Sequence, residues 1–291
     1  MRWTPGGVSS DIEDRRGSGG GGFGGFGRGP TIGCGGAIIL LVLSLLTGKN
    51  FFSAFDGGGG GAVQQQQPAG PPGETGTVAQ TPEEAKEVEF ISFVLNDVQD
   101  TWAKIFQEQG SQYQRSTLVL FRDLTETGCG YGQAASGPFY CPRDGKVYID
   151  LAFFDELDRR FGAPGDFAQA YVLAHELGHH LQNLTGVSDK VHEAMQRDER
   201  NANDYSVRLE LQADCYAGVW GHSAAQRNVL EPGDTEEGLA AASSVGDDRL
   251  QKMSGRGVNP DSFTHGSSQQ RAEWFQRGFQ SGRLADCDTF R

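Results

Sequence analysis

Beyond residue 80 the hydrophobic positions fall into two periods. Phe90, Val94, Val98, Trp102, Ile105 and Phe106 recur at three- and four-residue intervals, the spacing that lines one face of an α-helix. The run Thr81-Pro82-Glu83-Glu84 supplies its start: a capping hydroxyl, a proline at the first helical position and a glutamate that can reach back to the cap. Ser116–Phe121 (STLVLF) reads as a strand, and Phe139–Cys141 and Lys146–Leu151 as two more, with Asp144-Gly145 turning between them. Helical patterning then takes over at Asp166–Leu184, which Gly186 ends, and at Asp204–Trp220, Thr235–Lys252 and Ser267–Gln280. Few early strands followed by many helices predict an α+β domain over residues 81–291, helix-rich with a small β-sheet.

The first 80 residues are of another kind. Residues 1–28 are polar and then glycine-rich, and residues 49–80 are a Gly/Gln/Pro linker that cannot build a core. Between them, from Gly29 to Gly48, no charge occurs, and Ala37–Leu46 (AIILLVLSLL) is almost wholly apolar. An uncharged stretch of about 20 residues just reaches across a bilayer. A cleaved signal peptide fits less well, because the leading segment is long and partly acidic and no small-x-small site follows. Residues 29–48 are therefore expected to be a single, uncleaved transmembrane helix. Arg15, Arg16 and Arg28 would hold residues 1–28 in the cytoplasm, with the domain outside the cell membrane, periplasmic or extracellular.

The cysteines agree with that placement. Cys34 lies in the uncharged stretch, and the other four, Cys129, Cys141, Cys215 and Cys287, follow it without any C-x-x-C spacing. An even set of four fits two disulfides in an oxidising compartment. The expected pairs are Cys129–Cys141, closing a short glycine-rich loop, and Cys215–Cys287, tying the C-terminal tail to a helix. Three connectivities stay open on sequence alone. The formal net charge is -13. So acidic a chain repels phosphate backbones, and nucleic acid is not expected as a partner.

The chemistry centres on Ala174-His175-Glu176-Leu177-Gly178-His179-His180. His175 and His179 are four apart, so in a helix both imidazoles leave one face about a turn apart and can share one tetrahedral zinc ion. Glu176, beside the first ligand, is placed to act as general base on a water. Phe167, Tyr171, Ala174 and Leu181 make the apolar stripe of the same helix. Gly178 costs about 1 kcal/mol of helix propensity, which points to close packing or a nearby ligand. Chance yields H-E-x-x-H in roughly 1% of chains this long, so a third ligand is needed to support the reading. The metzincin extension is excluded, because Gln182 and Thr185 stand where its glycine and third histidine belong. His180, His192, His222, His265 and the carboxylates remain. Glu210 and Asp214 share a helix face among apolar neighbours. One could ligate the zinc, and the other could accept the free ring N–H of a ligand histidine.

These two helical motifs, H-E-L-G-H-H and E-L-Q-A-D-C-Y-A-G-V-W, resemble those of the bacterial neutral zinc metallopeptidase family. So do Met1-Arg2-Trp3, Glu13-Asp14-Arg15-Arg16-Gly17, the single apolar span, Phe139-Tyr140-Cys141-Pro142, Thr264-His265-Gly266 with Gln270-Arg271, and Cys287-Asp288-Thr289-Phe290. The resemblance implies a zincin-like fold, one zinc ion and an extracytoplasmic domain. By analogy with gluzincins, it also implies that Glu210 ligates while Asp214 orients His175. The reading is then a zinc metalloendopeptidase acting on protein or peptide substrates. A strand, Lys146–Leu151, could pair with an extended substrate. His265, at a loop–helix junction, is the candidate donor to the oxygen that gains charge in the transition state, and Arg271 the partner of a buried carboxylate. The alternatives are a zinc-stabilised, membrane-anchored scaffold without turnover and a metallohydrolase acting on another bond.

Overall fold

A computed structural model describes residues 1–17 and 80–291. The expected membrane helix at 29–48 and the linker lie outside the described residues. Among the described residues no helix is long and apolar enough to cross a membrane.

Helix α1 spans Pro82–Glu108 and starts as its sequence requires: Thr81 accepts from the Glu84 amide at 3.2 Å and the Glu84 carboxylate accepts from the Thr81 amide at 3.0 Å. Its periodic face, Phe90, Val94, Val98 and Trp102, is buried. The strands β2 (Thr117–Phe121), β5 (Phe139–Cys141) and β6 (Lys146–Asp150) stand where the alternation and turn residues placed them. With β1 (Ile12–Asp14) they form a sheet of order β1-β2-β6-β5, in which β2 pairs parallel with both β1 and β6, and β5 pairs antiparallel with β6.

The sheet corrects one expectation of the sequence. Residues 1–17 are not a separate polar segment; they are folded into the domain. Strand β1 (Ile12–Asp14) is an edge of the sheet, with Ile12 opposite Leu118 and Asp14 opposite Leu120. Three residues of sequence I-E-D carry no alternation strong enough to announce a strand, and the pairing exists only because β2 offers its edge. A second sheet, the hairpin β3 (Leu124–Thr127) and β4 (Gly130–Gln133), was likewise silent, being largely polar and exposed.

The helices follow: α2 (Ala152–Arg159), α3 (Asp166–Leu184), α4 (Val187–Arg197), α5 (Ala202–Gln226), α6 (Asp234–Ser244), α7 (Asp247–Met253) and α8 (Ser268–Ser281). The single helix expected over Thr235–Lys252 is two, broken at Val245-Gly246. A side chain at Gly246 would lie 2.2 Å from the Ser268 amide nitrogen, so the chain bends there to let α8 begin. Helix α3 runs through the core, packed on α1, α5 and α6, and α5 packs against α8. The α5–α8 crossing is close because each helix offers a glycine: a Cβ on Gly218 would meet the Phe275 carbonyl at 2.1 Å, and one on Gly278 the Cys215 carbonyl at 2.0 Å. Both expected disulfides form. Cys129–Cys141 ties the β3–β4 turn to the end of β5, and Cys215–Cys287 ties α5 to the C-terminal turn.

Candidate metal centre

His175 and His179 leave α3 on the face that meets α5, and Glu210 comes to them from α5. Ligand atoms of the three residues all lie within 4.8 Å of one another. Glu210 spans the two rings, with Oε2 3.2 Å from His175 Nε2 and Oε1 3.4 Å from His179 Nε2. Tetrahedral zinc bound at about 2.05 Å holds its ligand atoms about 3.3 Å apart. The donor set therefore fits zinc in chemistry and in spacing. Close packing beneath it answers the question Gly178 raised: a Cβ there would be 3.1 Å from both Cα and O of Ala213, on the ligand-bearing stretch of α5.

Both rings are fixed from behind. His175 Nδ1 donates to Asp214 Oδ1 at 2.8 Å, and His179 Nδ1 donates to Gln182 Oε1 at 2.9 Å, so each Nε2 faces Glu210. Gln182 is held in turn by donating to the Leu209 carbonyl and to Gln212. Asp214 is fully buried and accepts also from Tyr171 Oη at 2.5 Å and from Arg271 Nε and Nη2 at 2.8 and 2.9 Å. Arg271 thus lies against a buried carboxylate, that of Asp214.

The electrostatics follow from burial set against these partners. Burial penalises the Asp214 carboxylate, but the Arg271 guanidinium and the His175 ring hold its pKa below the ordinary value. Burial opposes ionised Glu210 too, and His179, His175 and His265 outweigh it, keeping Glu210 well below the usual carboxylate range. For His175, desolvation favours the neutral ring, yet Asp214 and Glu210 raise it to about 9. Glu176 goes the other way: burial raises it, and the neighbouring imidazoles offset only part.

These groups open on a cleft of about 600 Å³ lined mainly by apolar side chains, among them Phe139, Phe153, Phe161 and Val172. Glu176 and His265 both line it. His265 Nδ1 is engaged by Thr264 Oγ1 at 3.0 Å and Asp247 Oδ1 at 3.3 Å, which leaves Nε2 for the cleft. Asp247 also accepts the backbone amides of Thr264, His265 and Gly266, so the loop before α8 is wound around one buried carboxylate. Desolvation pushes His265 toward neutrality, but Asp247 and Glu210 raise its pKa overall. Nothing in the sequence pointed to Asp247, whose role depends on a contact across 18 positions. Gln182 was more accessible: it sits three residues after His179, within reach on the same helix face.

The other histidines stand outside the ligand triad, and of these His192 also lines the cleft. His180 accepts from Tyr140 Oη at 3.0 Å and donates to the Gln114 carbonyl at 2.6 Å, joining α3 to β5. His192 binds the Ser188 carbonyl within α4, and His222 the Phe279 carbonyl. The strand proposed to meet a substrate also changes. β6 is flanked by β2 and β5, whereas β5 is an edge strand among the described residues and its Phe139 and Tyr140 line the cleft.

A family model described as "Putative neutral zinc metallopeptidase" matches residues 1–290. The chain belongs to that family. Among relatives, the uncharacterized protein YpfJ of Escherichia coli (strain K12) is 49% identical over an alignment covering all of this chain and 99% of the relative. The uncharacterized protein Rv2575 of Mycobacterium tuberculosis (strain ATCC 25618 / H37Rv) is 46% identical over 189 residues, 61% of this chain and 63% of that protein. No solved structure matches. Membership in the metallopeptidase family agrees with the donor set: two histidines and a glutamate suit zinc.

Proposed function

We propose that the chain is a zinc-dependent endopeptidase. The observation that carries this reading is Glu176, a buried acid lining the cleft beside His175 and outside the ligand triad. A purely structural zinc site has no use for it. When held by His175, His179 and Glu210, zinc would supply a Lewis acid and lower the pKa of water to about 7.

The chain's own residues then divide the work. Glu176, its pKa raised by burial, takes a proton from the attacking water and returns it to the leaving amine. His265, aimed by Asp247, donates from Nε2 to the carbonyl oxygen as charge develops there. The outer edge of β5, unpaired among the described residues, offers backbone groups to an extended peptide, and the apolar cleft takes its side chains.

Glu176→Gln removes the proton acceptor and no ligand. Zinc content should stay at one per chain while hydrolysis of a peptide library falls at least about 100-fold. A variant that keeps its rate, or loses metal and rate together, excludes the role. If the unsubstituted, zinc-loaded chain cleaves no peptide, the endopeptidase reading fails and the scaffold and the metallohydrolase of another bond are the readings left.

A further inference from the structure

We propose that the cleft selects peptides with a large apolar side chain on one side of the scissile bond and a carboxylate on the other, and that Arg143 binds the carboxylate. This rests on the peptidase reading and gives that site its substrate class.

The charges of the cleft single out Arg143. Three arginines line it, and two are committed. Arg271 is held by Asp214 at 2.8 Å, while Arg160 lies 3.7 Å from Glu156 and over the Phe161 ring at 5.6 Å. Arg143 is exposed and, among the described residues, has no carboxylate within ion-pair reach. Other lining acids have their own partners: Asp247 faces His265, and Glu210 faces His175 and His179. Arg143 is thus the lining arginine whose charge is left for a ligand. Its guanidinium suits a carboxylate, which it can take through two parallel hydrogen bonds.

Its place in the fold sets where that carboxylate falls. Arg143 sits in the turn that joins β5 to β6, closed by the Gly145 amide donating to the Cys141 carbonyl at 2.9 Å. The Cys129–Cys141 disulfide pins one side of the turn, and Asn183 pins the other by donating to the Pro142 carbonyl at 3.3 Å. Asn183 follows His179 on α3, so the turn lies beyond the metal ligands along that helix. The opposite end of the cleft is aromatic. Phe153 packs on Gly137, just ahead of β5, where an added Cβ would stand 3.4 Å from the ring, and its centroid is 6.3 Å from that of Phe161. Phe161 stands shortly before α3 begins, and Val172 is about two turns, roughly 10 Å, ahead of His179. A peptide laid along the outer edge of β5 therefore meets aromatic rings at one end, the metal ligands between, and a guanidinium at the other. Apolar burial supplies affinity, and the ion pair fixes the register.

The test uses the full, zinc-loaded chain and synthetic peptides with one phenylalanine in a Gly/Ser background. A second residue is moved stepwise along each peptide. Asparagine amides are the neutral reference. Aspartate amides carry the carboxylate on a side chain, and asparagine free acids carry it at the C-terminus, which separates the two sources. Cleavage is mapped by mass spectrometry, and binding is measured separately on zinc-loaded Glu176→Gln. A carboxylate across the bond from phenylalanine should raise kcat/KM and affinity about fivefold, and the preference should fade in about 0.5 M salt. Arg143→Glu should turn the preference toward lysine amides, a gain that a misfolded variant could not produce. Cleavage that ignores carboxylates from both sources, or favours them on the same side as phenylalanine, overturns the proposal and leaves the peptidase reading standing. An unchanged carboxylate preference in Arg143→Glu overturns the assignment to Arg143. A preference in binding, with no cleavage by the unsubstituted chain, supports carboxylate recognition and removes the peptidase reading. Neither cleavage nor a binding preference overturns both.

Discussion

Asp214 has no exposed surface, and its two oxygens take hydrogen bonds from Tyr171, His175 and, twice, Arg271. That crowding has a measurable effect on the metal. With His175 raised to about 9, the metal-free site keeps a proton on the ring at neutral pH, and zinc must displace it. Zinc affinity should therefore climb about tenfold per pH unit between pH 6 and 8, one proton leaving per ion, and level off only near 9. Glu210, held well below the carboxylate range, adds nothing to that slope. Asp214→Asn removes the main raising influence, so the levelling should move to lower pH. Chelator competition across that range measures both, and a flat profile in the unsubstituted protein would refute the account. His265→Ala should keep zinc and fold while kcat drops about 100-fold with little change in KM, because the donor acts on charge that exists only in the transition state. An unchanged kcat removes His265 from the chemistry. At this scale the sequence was most legible where spacing is local: i, i+4 pairs on two helices identified His175, His179, Glu210 and Asp214. Tyr171 was read only as a member of the apolar stripe, because its hydroxyl acquires a role through a contact 43 positions away.

Between the two helices that carry the ligands, Gly178 sets how near they come. An alanine there would gain about 1 kcal/mol of helix propensity. Its Cβ would press at 3.1 Å on the backbone of Ala213, which cannot swing aside as a side chain would. Overpacking of that kind costs about 1–3 kcal/mol. Gly178→Ala should thus lower stability on balance, by up to about 2 kcal/mol. It should weaken zinc more than a surface substitution does, because it separates His179 from Glu210. Denaturant unfolding with a parallel zinc titration would show it, and wild-type values in both would mean the helices have room. Elements with a strong period or a good cap, such as α1, α3 and α8, could be read from the chain. The break before α7 and the β3–β4 hairpin could not, because one answers to the approach of Ser268 and the other has little apolar patterning.

For the molecule as a whole, β1 makes the first seventeen residues part of the fold that the sequence had begun at residue 81. Residues 80–291 alone leave the β2 edge beside Leu118 and Leu120 open and should melt well below the intact chain. Joining residue 17 to residue 80 through a short Gly/Ser linker should restore that stability, since Arg16 and Gln80 already touch. Thermal unfolding of the three zinc-loaded proteins decides it, and equal melting temperatures would make β1 dispensable. The order of the parts along the chain has a further effect, in time. The metal ligands lie between residues 175 and 210, but the arginine that covers Asp214 is residue 271 and the cysteine that closes over α5 is residue 287. A nascent chain that has delivered the zinc-binding motif still lacks the guanidinium that neutralises the buried carboxylate behind it. Zinc capture should accordingly be a late event of synthesis: chains arrested before residue 271 should fail to retain the ion, and the protein should acquire its metal only once nearly its whole length has emerged.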